Sequence, residues 1–458
     1  MAPHAGVVRT GERRARGWRL AACEAARHNR RLPLLLRILL TGSVLVLACT
    51  IYALGEDRLG SWSFFGAAAI LGVCQLTMLL TTWRLPPDRR LILLALAFAV
   101  LCRVPLILTP VGYDSDLIRY IWDGRVQLFG YNPYTVMPND PALAHTHDED
   151  TVRMPSRNVK TPYLPAAQLF FRAVVWLSDT PHAMKVALSA CDLLTILVLW
   201  RWLRVTGRNE WLVLTYAWSP LVILEVALSS HVDALGALWI VAAAYWLSTR
   251  RTALASVAFT LAVATKLLPI VLAPLFLGRA RARDIVLGAA LFGALYLPFM
   301  FDTLLPVGAV PSVVTHIRFN SPIFRPLSFV IPSQAAAALA VLVGTGAAIW
   351  ARRRLAADDP AAWAWPMALA LAFAPVIYPW YLLYFTPFLF TAPTLPLFVW
   401  TYSVLPVYVV WERALQGHVW RVPTPLMVVE FGVVVGAMIL VYLRLRRTAP
   451  RQEDAASI

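Results

Sequence analysis

Charge is scarce in this chain: 14% of its 458 residues are Asp, Glu, Lys or Arg, against 59% apolar residues and a mean hydropathy of +0.64. This excludes a soluble globular protein and identifies a polytopic membrane protein. Lysine is nearly absent, with three residues against 38 arginines, a bias that points to a GC-rich bacterial genome and carries no mechanism. Cysteine is also rare. The five, Cys23, Cys49, Cys74, Cys102 and Cys191, fall in predicted spans or on the inner side, which argues against a disulfide framework. "VLAC", ending at Cys49, imitates a lipoprotein cleavage site, but the basic region before it is too long, and the segment reads as core helix. No internal repeat, low-complexity tract or separate soluble domain stands out.

What the chain does have is apolar runs of about 18 to 25 residues, each long enough to cross a bilayer as a helix. The net charge of +16 sits in short loops and tails between these runs, which is the pattern of orientation signals and not of nucleic-acid binding. Placing every arginine cluster on the cytoplasmic side threads the chain consistently. A basic tail, 1–37, precedes a transmembrane hairpin, 38–90. A catalytic module follows over 91–392, with a large exterior loop at 111–181, and a second hairpin with a basic tail closes the chain over 393–458. The run 252–277 is basic at both ends, so its central "TKLLP" predicts a broken helical hairpin. The expected fold is all-α, with about 12 to 14 transmembrane helices and both termini cytoplasmic.

Arginine bias alone then gathers the unusual polar residues on the outer face. The stretch "GYDSDLIRYIWDGRVQLFGYNPY" predicts an amphipathic helix lying in the interface, with Leu117, Ile118, Ile121, Trp122, Leu128 and Phe129 on its apolar side and Asp116, Arg119, Tyr120, Asp123 and Gln127 on the other. Asp114 and Asp116 stand at its start, where one carboxylate can cap the helix and the other act as a base. Ionisable groups within spans cost roughly 2.5 to 3.5 kcal/mol each and need a reason. Arg103, Glu225 and Lys266 are of this kind. Arg103 has a structural alternative, pairing with a neighbouring acid, and Asp192 and Glu430 read as structural. Ser230 with Asp233 fits a capping box, which leaves Asp233 either a cap or a ligand. "HTHDED", 145–150, reads as a mobile solvated loop, because consecutive residues cannot all converge on one ion. No metal site is expected.

Carboxylates beside cations at interfacial depth, with aromatics able to stack on sugar rings, suit a lipid phosphate that carries a sugar. An Asp would take the proton of an acceptor hydroxyl as it attacks the anomeric carbon, and cations would hold the departing phosphate without a metal or other cofactor. The order of "DSDLIRYIWDGRVQLFGYNPY", "TPYLPAAQLFF", "WSPLVILEVALSSHVDAL", "ATKLLPIVLAPLFL", "HIRFNS" and "YPWYLLYFTPFL" resembles the GT-C superfamily of membrane glycosyltransferases. Within it, the closest resemblance is to bacterial polyprenyl-phosphate-mannose-dependent mannosyltransferases.

The resemblance implies transfer of a hexose, by default mannose, from a polyprenyl-phosphate donor to a lipid or glycan acceptor on the extracytoplasmic face of the bacterial plasma membrane. It implies Asp116 as base, although an acidic pair normally precedes the Arg-Tyr of this motif and here Ser115 separates Asp114 from Asp116, so either remains open. Arg103, Lys266, His316 and Arg318 are expected at the donor phosphate. Arg119, Trp122, Asp123, Arg125, Tyr163, Glu225, His231, Asp233, Asn320, Tyr378 and Trp380 are expected to line the substrates. The hairpin before residue 90 looks like an addition to the usual order. Two other classes compete: a flippase or transporter of lipid-linked saccharides, which should carry polar groups on both sides of the bilayer, and a non-catalytic cell-envelope assembly protein.

Overall fold

Apolar backbone in a bilayer must satisfy its own N–H and C=O groups, so long apolar runs become helices. The computed structural model describes residues 31–55, 58–112 and 115–448. Asp114 lies outside the described residues, as do Tyr113 and Cys23. The described residues form no β-strand, and one isolated parallel bridge joins Phe319 to Val376. The chain is thus an all-α membrane protein.

Eight described helices are long and apolar enough to cross a membrane: Arg31–Leu54, Trp62–Thr82, Arg89–Ile107, Pro181–Val205, Ala282–Phe299, Ser333–Arg354, Ala392–Leu415 and Thr424–Arg447. A ninth span is broken, with Glu210–Ala217 and Pro220–Leu228 meeting at 48°. The first described helix, Arg31–Leu54, already includes residues ahead of the expected 38. Three apolar helices are shorter, Pro165–Leu177, Asp233–Ser248 and Thr252–Thr265. Asp233–Ser248 is buried nearly all round, between Pro181–Val205 and Thr252–Thr265, which is why its sequence shows no polar stripe.

Prolines explain the irregular segments. The helix Thr252–Thr265 stops at Lys266, whose backbone is extended (φ −157°, ψ 146°), and the chain continues as the tight turns of Leu268–Phe276. Pro269 and Pro274 supply no N–H, so the second half of the expected hairpin forms a 3₁₀ segment in place of an α-helix.

The basic loops gather at one end. Arg208 donates to the Asp358 carbonyl (3.1 Å), Arg279 to Leu355 (2.6 Å) and Arg352 to Leu277 (2.7 Å), while Asn209 reaches Trp83 and Leu85 (both 3.0 Å). The N-terminal hairpin braces the rest of the bundle. Gln75 donates to the carbonyls of Leu214 (3.1 Å) and Thr215 (2.7 Å) and accepts from Tyr402, tying the hairpin to the broken span. Phe64 packs on the Tyr408 ring at 4.9 Å. Gly60, at φ +82°, lets the loop press so closely on the Tyr408 carbonyl that a Cβ there would lie 2.1 Å from its oxygen.

The helix Asp116–Leu128 differs from expectation in its surroundings. From Leu117 to Gln127 every residue except Arg125 is buried, on the polar face as well as the apolar one. The polar face avoids water because most of its groups bond to one another, Arg119 Nη2 and Gln127 Oε1 being left without partners. Asp123, fully buried, accepts from Arg119 Nε (2.7 Å), Thr161 Oγ1 (2.5 Å) and Gln168 Nε2 (2.8 Å), and Gln127 donates to Gln168 (2.9 Å). Gly124 makes this possible, since a Cβ there would lie 2.6 Å from the Phe171 carbonyl oxygen of Pro165–Leu177. Gly124→Ala is therefore expected to push the two helices apart and destabilise the protein by about 1 to 3 kcal/mol, measured as a lowered thermal midpoint of the solubilised protein.

Candidate active site

Ser115 caps the helix, its Oγ accepting from the Leu117 N–H at 3.2 Å. Asp116 is the first helical residue and is half-buried. Its carboxylate makes no hydrogen bond or ion pair with any described residue. Its charge is nevertheless felt by Tyr120, Tyr163, Lys266, Tyr378, Tyr381 and Tyr408. Burial first, and then the Asp116 charge, push the Tyr120 and Tyr163 phenols well above their ordinary range. Both stay neutral hydroxyls beside it.

Tyr120 links this helix to the next part of the site. Its ring stacks on Phe171 at 4.5 Å and meets Tyr163 edge-on at 4.9 Å, and its hydroxyl accepts from the Val232 N–H at 3.3 Å. The segment around Val232 is unusual. A π-helical turn runs over Ile223–Leu228, and Ser230 sits in the left-handed region at φ 59° with its Oγ buried and unbonded. Such strained geometry costs of order 1 to 3 kcal/mol and concentrates at functional sites.

The strain has a visible result. Glu225, fully buried, accepts from the Tyr408 hydroxyl at both oxygens (2.7 and 2.8 Å). His231 Nδ1 lies 2.9 Å from Glu225 Oε2, an ion-pair contact outside the line of an aligned hydrogen bond. The imidazole stacks on Trp380 at 3.9 Å and 9°, and Trp380 stacks on Tyr378 at 4.4 Å and 5°. Two residues on, Asp233 forms no capping box with Ser230. It is paired with Lys266 Nζ at 2.6 Å, and that ammonium lies 3.5 Å from the centre of the Tyr381 ring. Lys266 reaches this position because the proline-induced break leaves its backbone extended.

Asp116, Tyr163, Glu225, His231, Asp233, Lys266, Tyr378 and Trp380 are thus brought together. Other expected site residues are committed elsewhere. Arg103 is buried in a pair with Asp192 (2.5 Å) and donates to the Ala99 (2.6 Å) and Ala217 (3.0 Å) carbonyls, so it is not offered to a phosphate. Arg318 donates to the carbonyls of Val314, Thr315 and Ile317, closing the helix end before it, and to Ser333. His316 is exposed, with Nδ1 2.7 Å from Thr315 Oγ1. Asn320 donates to Glu430 (3.0 and 3.2 Å), although neighbouring Phe319 does pack on Tyr378 at 4.5 Å. Arg119 and Asp123 serve the buried network. Arg125 bridges Asp148 (2.6 Å) and Asp179 (2.7 Å), and Trp122 donates to Thr146 (3.0 Å) and stacks on His147. These contacts fold "HTHDED" into turns in place of a loose loop, with Asp148 also accepting from the Thr151 N–H at 2.8 Å.

Tyr408 was not foreseeable as a site residue, since it lies inside an apolar run beyond the expected module boundary at 392. Its one signal is that a buried tyrosine hydroxyl needs a partner, as does a buried Glu225.

The family model described as alpha-(1->6)-mannopyranosyltransferase, N-terminal domain, matches residues 25–283. The chain belongs to this family. Searches among characterised proteins and among solved structures return no match. Membership supports mannosyl transfer as the chemistry of this mannopyranosyltransferase family member, and its substrates as a sugar donor and an acceptor. The match contains Asp116, Glu225, His231, Asp233 and Lys266, whereas Tyr378, Trp380, Tyr381 and Tyr408 reach the same place from beyond it.

Proposed function

We propose that the protein transfers mannose from a polyprenyl-phosphate donor to a lipid or glycan acceptor at the extracytoplasmic face of a bacterial plasma membrane, with Asp116 as general base. The observation that carries this reading is the state of four described carboxylates at or near the site. Asp123, Glu225 and Asp233 are each held by donors, and Asp116 is held by none. A carboxylate left unbonded among aromatics and next to a cation is poised to accept a proton from an incoming hydroxyl.

The acceptor oxygen attacks the anomeric carbon as its proton passes to Asp116. The bond from that carbon to the phosphate oxygen breaks, its electron pair staying on the phosphate. Inversion turns a β-linked donor into the α-linkage that the family name carries. Lys266 supplies positive charge near the leaving group, so no metal is required for charge balance. The basic end formed by the joined arginine loops supports a cytoplasmic orientation for that end and, with it, the reading of an extracytoplasmic site.

The test is mannose transfer by purified protein from radiolabelled polyprenyl-phosphate mannose into membrane lipid or glycan, with and without EDTA. Transfer in both conditions is expected. A wild-type protein inactive with every polyprenyl-phosphate sugar overturns the donor class, and loss of activity in EDTA that divalent ions restore overturns metal independence.

A further inference from the structure

The π-helical turn, the left-handed Ser230 and the fully buried Glu225 all act on one side chain, His231. Its imidazole is clamped. Glu225 and the Trp380 face fix its position, and Glu225 is in turn fixed by the Tyr408 hydroxyl at both oxygens. Nδ1 is buried against the carboxylate, while Nε2 has no hydrogen-bond partner among the described residues and lies at the part of the ring that keeps access, the side chain being 7% exposed. A histidine with one nitrogen held against a carboxylate and the other left without a partner is an arrangement that directs the ring toward a ligand.

Charge decides which ligand. The groups facing this space are Asp116, Glu225, Asp233, Lys266, His231 and neutral tyrosines. Lys266 is already matched by Asp233, which leaves His231 as the further nitrogen donor facing an entering phosphate. His231, held against the Glu225 carboxylate, presents Nε2, the ring nitrogen without a partner among the described residues, as donor of a hydrogen bond that the phosphate charge strengthens. Two of the cations first expected at the phosphate do not compete: Arg103 is paired with Asp192, and Arg318 closes a helix end.

Resting on the proposed transfer reaction, we infer that His231 Nε2 grips the phosphate of the lipid-linked donor and of the polyprenyl phosphate product, with Glu225 and Tyr408 as positioning residues that aim it. The reacting bonds are those of the transfer itself; His231 donates a hydrogen bond to the oxygen that receives the electron pair. Tyr408 makes the far C-terminal segment part of the donor site, and the N-terminal hairpin, through Phe64 and Gly60, holds that tyrosine in place.

Two substitutions separate position from mere folding. A glutamine amide nitrogen can occupy the place of imidazole Nε2, whereas an asparagine amide stops near Nδ1. With full-length protein in lipid nanodiscs, His231→Asn is expected to raise the donor KM and the Kd for polyprenyl phosphate on the order of tenfold to a hundredfold, the loss of one charge-assisted hydrogen bond. The acceptor KM should be unchanged. His231→Gln should recover most of the loss, and Tyr408→Phe should raise the donor KM in the same direction by a smaller factor.

Equal losses in the Asn and Gln variants, a rise in acceptor KM in place of donor KM, or wild-type affinity of His231→Asn for polyprenyl phosphate would each overturn the assignment. Failure of the reaction class looks different: there the wild-type protein itself transfers nothing from polyprenyl-phosphate mannose.

Discussion

Asp116→Asn is expected to lower kcat for mannosyl transfer by about 10²- to 10⁴-fold, the range that a positioned general base contributes, while leaving the donor KM within roughly a factor of two. The barrier rises by about 3 to 5 kcal/mol at 1.36 kcal/mol per decade. The substitution is close to isosteric, and the carboxylate it replaces has no partner among the described residues, so stability should stay within about 0.5 kcal/mol of wild type. That contrast with Asp123 is the point of the experiment. Asp123→Asn weakens the acceptor for Arg119, Thr161 and Gln168 in a fully buried network, so any activity it loses should come with a lowered thermal midpoint. Single-turnover transfer and thermal unfolding, measured on the same preparations, separate the two cases. Asp114→Asn belongs beside them. Full activity in Asp116→Asn with its loss in Asp114→Asn would move the base to Asp114.

The sequence was most informative where composition and punctuation act locally. Apolar length predicted the long helices, and basic loops predicted the end at which Arg208, Arg279 and Arg352 meet. "TKLLP" predicted the break at Lys266, because proline chemistry does not depend on distant packing. What could not be read was pairing across the fold. Arg103 and Lys266 look alike as cations within apolar runs. Only packing brings Asp192 onto the first and Asp233, with the Tyr381 ring, onto the second. The stretch 116–128 read as amphipathic, yet Gly124 and the Gln168–Thr161 network bury both of its faces. Such a polar face is indistinguishable in sequence from a solvated one. Tyr408 carried no periodic or motif signal, since its relation to Glu225 spans 183 positions.

Asp192→Ala is expected to destabilise the protein by about 3 to 5 kcal/mol, because it leaves the Arg103 guanidinium buried without a counter-charge. The same removal should not touch the donor KM of whatever fraction folds. The double substitution Arg103→Met with Asp192→Leu removes both charges and should recover part of the stability. Full recovery is not expected. Arg103 also donates to the Ala217 carbonyl, at the point where the span Glu210–Ala217 ends and bends by 48° into Pro220–Leu228. Helix ends leave carbonyls without intrahelical donors, and within a bilayer water does not replace them. Arg103 therefore does two jobs, neutralising Asp192 and closing the broken span that leads directly into Glu225 and His231. A thermal-unfolding cycle of Arg103→Met, Asp192→Leu and the double variant measures this. A double variant as unstable as Asp192→Ala would show that the carbonyl contacts, not the ion pair, are what the arginine is buried for.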